Sequence, residues 1–229
     1  MPSRAYPSRT VVTNEHFRGS TTEWDYLWRA AIPPGHEEAR ILDAGSGEHV
    51  WTVSDYKAVV RCDCWQSYSY RQKKLPKGII EADLNKPWPF KDDSFAGVTC
   101  IDVLEHLENP WHFVREATRV ATDWVCVAVP NPHCPISQAL FAKQGTFYCF
   151  TWPQLQNSHH LVPLFAWQVP LLEQACGWKA DMNVILDAPT SGYKGWQDIV
   201  PKELHALAQR QDTRASRLLR FTCTTGRRG

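Results

Sequence analysis

The chain has 229 residues, enough for one α/β domain with extensions and a buried core of ordinary size. Its 25 Lys and Arg against 24 Asp and Glu leave a formal net charge of +1, which supplies no field to gather a polyanion and argues against nucleic acid as the partner. The eight cysteines include no C-x-x-C pair, so reduced thiols, a cytoplasmic location and no metal site are the expectation.

In chain order, residues 1 to about 20 read as a polar arm without the apolar core of a signal peptide. Thr21 or Thr22 caps a helix through Trp24, Tyr26, Leu27, Trp28 and Ala31, which Pro33, Pro34 and Gly35 stop. The stretch I-L-D-A-G-S-G-E-H, Ile41 to His49, is an apolar strand that ends in a tight turn. Gly45 and Gly47 permit positive φ and a close backbone approach to a ligand. A short helix-like piece to Asp55 follows, then a second strand, Ala58 to Asp63. Asp63 falls 20 positions after Asp43, the interval at which a dinucleotide fold sets its ribose-binding acid.

The segment 66–77 carries no assignable pattern, Gly78 to Ala82 is a third strand ending at Asp83, Lys86 to Ser94 is rich in turns, and Phe95 to Ile101 is a fourth strand. Asn109 or Pro110 starts a helix with Trp111, Phe113, Val114, Ala117 and Val120 on its apolar face. Trp124 to Val129 is a fifth, wholly apolar strand. Beyond it come a helix at Ile136 to Ala142, an aromatic loop at 145–165 with adjacent His159 and His160, and a helix from Ala166 to Cys176 ended by Gly177. A sixth strand spans Lys179 to Leu186, 188–200 is a loop, 201–211 is helical, and Leu218 to Thr225 alternates as a final edge strand. The most apolar window, Leu161 to Trp178, carries Pro163, Gln168, Pro170, Glu173 and Gln174, so no membrane span is expected. The arginines at 210, 214, 217, 220, 227 and 228 read as a solvated face and tail.

Strands of this length alternating with helices predict βαβ units and a mostly parallel sheet covered on both faces. Asp43, Asp63 and Asp83 each close one of the first three strands, so the three carboxylates belong to one edge of that sheet.

Together, I-L-D-A-G-S-G, E-A-D-L, W-P-F-K-D-D-S-F and I-D-V-L-E-H-L-E-N-P, between about residues 38 and 131, resemble the class I S-adenosylmethionine-dependent methyltransferases, specifically the methyltransferase type 11 group. The resemblance implies a Rossmann-like, doubly wound sheet of seven strands. It also implies an arm and covering helix over 1–35 and a methyltransferase domain over 36–229, with an aromatic loop inserted at about 132–165. Carried over, Asp43, Gly45, Ser46 and Gly47 form the glycine loop for S-adenosylmethionine and Asp63 holds the ribose hydroxyls. Asp83 accepts from the adenine amino group, Leu84 borders the ring, and Ile101 and Asp102 border the methionyl end, with Glu105 and His106 just beyond. His49 replaces the family's third glycine, the 48–58 connection is short, and Cys64-Trp65 replaces small polar residues after the ribose acid.

His106 is the first base candidate, because imidazole titrates near neutral pH and the position faces the cofactor's reactive end. His159 is the second, with His160 beside it. The expected acceptor is a small molecule enclosed by the N-terminal segment and Phe147, Tyr148, Phe150 and Trp152. A non-catalytic cofactor-binding partner or regulatory subunit, and an RNA or protein methyltransferase, are the rival functions; the sequence fixes neither the acceptor nor the oligomeric state. A nicotinamide oxidoreductase fits less well, since Val50 stands where G-x-G-x-x-G needs glycine.

Overall fold

The computed structural model describes residues 32, 35–47, 58–64, 75, 77–130, 141–145, 160–164, 168–185, 202–203 and 218–224. Seven strands emerge from these: β1 (Arg40–Ala44), β2 (Ala58–Asp63), β3 (Ile79–Glu81), β4 (Phe95–Ile101), β5 (Ala121–Pro130), β6 (Lys179–Ile185) and β7 (Leu218–Thr224). They form one sheet in the order β3-β2-β1-β4-β5-β7-β6. Neighbours from β3 through β5 pair in parallel, whereas β7 pairs antiparallel with both β5 and β6. This is the Rossmann-like, mostly parallel sheet that the alternating elements predict.

The middle strands are buried along nearly their whole length, as a sheet covered on both faces requires. Ile41, Leu42, Val98, Cys100, Val125, Cys126 and Ala128 are fully enclosed. β3 has no buried residue and Ile80 is exposed, which suits a short outer strand. Helix α1 (Pro110–Val120) starts at Asn109, whose side chain accepts the His112 N–H at 3.0 Å, with Pro110 in the first turn. Phe113, Val114, Ala117 and Val120 point inward at the helical period. Helix α2 (Val169–Cys176) packs beside α1 and ends on Gly177, whose φ of 71° allows its N–H to reach the Glu173 carbonyl at 2.8 Å.

Arg119 on α1 pins the turn-rich segment before β4. Its Nη1 donates to the Phe90 carbonyl at 2.9 Å and to Asp92 at 2.7 Å, and its Nη2 donates to Glu116 at 2.7 Å. Glu116 in turn accepts the Trp88 N–H at 2.8 Å. The W-P-F-K-D-D-S run is therefore a clamped connection, with Trp88 edge-on to Phe113 and Phe90 edge-on to Phe95.

Three expectations need revision. β5 begins at Ala121 rather than Trp124, because α1 passes straight into it and the polar Thr122 and Asp123 interrupt the apolar signal; the pairing with β4 is irregular there. β3 stops at Glu81, so Asp83 lies two residues past the strand. β7 is an inner strand, and β6 takes the edge. Alternation reports two unlike faces, not a missing neighbour. Residues 141–144 are helical, and the rest of the helix expected from Ile136 lies outside the described residues, as do the helix at 24–31 and the piece before Asp55. No helix among the described residues is long and apolar enough to cross a membrane.

Gly97 of β4 pairs with Trp124 of β5, and a Cβ placed on Gly97 would fall on the Trp124 indole. Gly97→Ala should therefore cost about 1–3 kcal/mol and lower the thermal midpoint by roughly 2–4 °C for each kcal/mol in a chain of this size. An unchanged melting curve would contradict this packing.

Candidate functional site

The strand order reverses between β1 and β4, and in open α/β sheets ligands bind at the carboxyl ends of the strands flanking such a reversal. The turn after β1 stands there. Gly45 and Gly47 have φ of 81° and 59°, a region that residues with a Cβ rarely enter. The Gly45 and Ser46 N–H groups both donate to the Cys62 carbonyl, at 2.9 and 3.1 Å, which ties the turn to β2. A Cβ on Gly45 would overlap the Val103 side chain, so the turn rests directly on the segment leaving β4.

Asp63, the last residue of β2, is buried and faces the turn. Its Oδ2 accepts the Gly47 N–H at 2.8 Å and its Oδ1 accepts the Cys64 N–H at 2.7 Å. These two donors take two of the about four acceptor positions of a carboxylate. Arg61 adds a bond from Nη2 to the Gly47 carbonyl at 3.1 Å. Ser46 is buried, and its Oγ has no hydrogen-bond partner among the described residues. A buried, unmatched hydroxyl inside a cradle of backbone amides fits a ligand with polar groups of its own.

Asp43, near the end of β1, is 2% exposed, and Thr99 of β4 donates to its Oδ1 at 3.2 Å. Thr99, a fully buried polar residue, escaped the sequence reading because a lone threonine in an apolar strand looks like β-propensity. Cys62 sits close by; burial, then Asp43, pushes its thiol far above the usual range, so it remains a neutral buried group.

On the far side of β2, Asp83 accepts the Asn85 N–H at 3.0 Å and pairs with Lys86 at 2.8 Å. Burial pulls its pKa up, but the Lys86 ammonium and the Asn85 amide outweigh that and hold the carboxyl below its ordinary value. Leu84 beside it is buried. Asn85 also accepts the Glu108 N–H at 2.9 Å, so this segment is fixed to the chain that follows β4.

That chain holds the remaining candidates. Ile101 ends β4 buried, and Asp102 takes φ of 52°, a left-handed conformation unusual outside glycine, while its N–H holds the Ala128 carbonyl at 2.9 Å. A single 3₁₀ turn, Leu104–His106, follows. Glu105 in that turn is 1% exposed, and neither carboxylate oxygen has a hydrogen-bond partner among the described residues. Burial first, then the nearby Asp102, pushes its pKa well above the usual carboxylate range. Its backbone carbonyl receives the N–H groups of Leu161 at 2.6 Å and Val162 at 3.2 Å, which docks 160–164 onto the turn.

The docking brings His160 to His106, ring centroids 4.6 Å apart in an edge-to-face contact. Each Nε2 lies 3.9 Å from Glu105 Oε1. The sequence offers His106 just beyond β4 and His159 and His160 as the next base candidates; His160 meets His106, and His159 lies outside the described residues. Phe147, Tyr148, Phe150 and Trp152 also lie outside the described residues.

Residues 42–123 match the family model described as Methyltransferase domain, of the type 11 family. No curated protein matches the sequence. Among solved structures, the methyltransferase held by the Trm112 activator in a Haloferax volcanii complex is 16% identical, with 89% of this chain and 90% of that one covered and a TM-score of 0.58. An S-adenosylmethionine-dependent methyltransferase from Archaeoglobus fulgidus is also 16% identical, covering 93% and 97% at a TM-score of 0.58. The [4+2]-cyclase SpnF is 14% identical, covering 88% and 79% at 0.56. At these identities the likeness is one of fold. Fold, glycine turn and the match over 42–123 agree on a methyltransferase domain. Over residues 42–123 the chain matches the type 11 methyltransferase domain, and its fold is that of the S-adenosylmethionine-dependent methyltransferases, which implies S-adenosylmethionine as the cofactor.

Asp63→Ala would take the carboxylate from the Gly47 and Cys64 amides, at about 1–3 kcal/mol for the loss of the buried bond to Gly47. The cofactor-free variant should melt several degrees below the parent in scanning fluorimetry. Coincident curves would remove the carboxylate from the support of the turn.

Proposed function

We propose that the chain methylates a small-molecule acceptor, with the cofactor held across the β1/β4 reversal and the acceptor placed beside the His106–His160 pair. The observation that carries the cofactor half is the Asp63–Gly47 bond together with the buried, unmatched Ser46 Oγ. In this reading Gly45, Ser46 and Gly47 receive the methionyl end, with Asp43 fixing the strand beneath them through Thr99. Asp63 accepts the ribose hydroxyls. Asp83 and Leu84 border the adenine, and Ile101 and Asp102 border the methionyl side from β4.

S-adenosylmethionine supplies a methyl group on a sulfonium, open to in-line displacement. The chain's own task is then to hold the acceptor in line, exclude water and accept a proton where the acceptor starts protonated. His106, with a side chain 25% exposed beside the buried Glu105, is the first candidate base. His159 stays the second candidate. The near-zero net charge supports a small acceptor over an RNA backbone, and the absence of a membrane-spanning helix among the described residues accords with a cytoplasmic setting.

Asp63→Ala should weaken S-adenosylmethionine binding more than tenfold in titration calorimetry, since two charge-assisted hydrogen bonds are worth roughly 1.5–3 kcal/mol each. His106→Ala should lower turnover on a small-molecule acceptor while cofactor affinity stays nearly intact. Cofactor binding without transfer to any acceptor would favour the non-catalytic reading, and tight, salt-dependent RNA binding would overturn the small-molecule one.

A further inference from the structure

Glu105 is the most anomalous side chain among the described residues outside the glycine turn. It is 1% exposed, it lies near a second carboxylate, Asp102, and neither of its oxygens has a hydrogen-bond partner among the described residues. The two imidazoles that face it stand 3.9 Å away, beyond hydrogen-bond length. A carboxylate in that position, out of water and without donors, costs several kcal/mol unless it takes a proton or a cation offsets its charge.

The donor set around it is of the kind that binds a metal. One carboxylate oxygen of Glu105 and one nitrogen from each of His106 and His160 lie within 4.8 Å of one another. Ligands bound to one tetrahedral ion at about 2.0–2.2 Å stand roughly 3.4 Å apart, so closure by about 0.5–1.5 Å, within the reach of side-chain rotation, completes the site. The ligands come from two segments that the Leu161 and Val162 bonds to the Glu105 carbonyl already hold together.

We propose that Glu105, His106 and His160 form a binding site for a first-row divalent transition-metal ion such as Zn²⁺. Two imidazoles and one carboxylate are a borderline-soft set, which disfavours Mg²⁺ and Ca²⁺ and leaves at least one coordination position for water or an acceptor oxygen. Cysteine spacing alone points to no metal, and this donor set contains no cysteine. The inference goes beyond the function proposed above and revises it at one atom: a metal-bound His106 Nε2 cannot take a proton, so with the ion in place His106 is a ligand. The acceptor is then activated by the ion, which lowers the pKa of a hydroxyl bound to it.

The test is titration of chelator-treated full-length chain with Zn²⁺ by calorimetry and with Co²⁺ by absorption. The proposal expects one ion per chain, a raised thermal midpoint, and a Co²⁺ spectrum with ligand-field bands but no thiolate charge-transfer band. Glu105→Gln and His160→Ala should each weaken binding at least tenfold. His160 is the safer variant, since its side chain is partly exposed while Glu105 is deep in the core. No saturable binding to the parent chain, a thiolate band, or unchanged affinity in His160→Ala would overturn the site. S-adenosylmethionine titrated into the same preparation reads the cofactor proposal separately, so loss of one leaves the other standing.

Discussion

The bond from the Gly47 amide to Asp63 Oδ2, at 2.8 Å, joins the turn after β1 to the end of β2. Much of the site depends on that junction. Because Gly45 and Ser46 also donate to the Cys62 carbonyl, the turn cannot move without breaking its hold on β2. Because Gly45 lies against Val103, the segment leaving β4 is set from the same point. The carboxylate therefore has a structural duty as well as the proposed ligand duty, and the two reinforce one another: an acid already fixed by two amides loses little freedom when a ribose arrives.

The other half of the site is built on β4 and β5. The Asp102 N–H bonds to Ala128 while the backbone turns left-handed, and the chain drops at once into the 3₁₀ turn that buries Glu105. Placing an unmatched acid there costs stability, and such a cost is commonly kept only where function uses it. His106 and His160 gather over that acid because the 160–164 segment hydrogen-bonds to the carbonyl of the same residue.

Local signals carried much of this into the sequence. The apolar runs holding Asp43 and closed by Asp63, the first followed by a glycine turn, mark β1 and β2, and Asn109-Pro110 marks the start of α1, because strand burial and helix capping are short-range properties. What was hidden depended on tertiary contact. The inner position of β7 follows from pairing with β5 and β6, which alternation cannot report. The bond that Asp43 accepts from Thr99 joins residues 56 apart in the chain. The meeting of His160 with His106 depends on backbone bonds from the 160–164 segment to Glu105, which no local pattern reports. The burial of Glu105 is announced by no motif, since it depends on the packing around the turn after β4.

The central claim is that the cofactor lies across the reversal between β1 and β4. Backbone amide shifts in NMR spectra, recorded with S-adenosylhomocysteine or NAD added, test it most directly. The account predicts that S-adenosylhomocysteine moves the amides of Gly45, Ser46, Gly47, Cys64, Leu84 and Asp102 and leaves those of β6 and β7 in place, with NAD moving none of them. Shifts confined to other parts of the chain, or the same set produced by NAD alone, would contradict it.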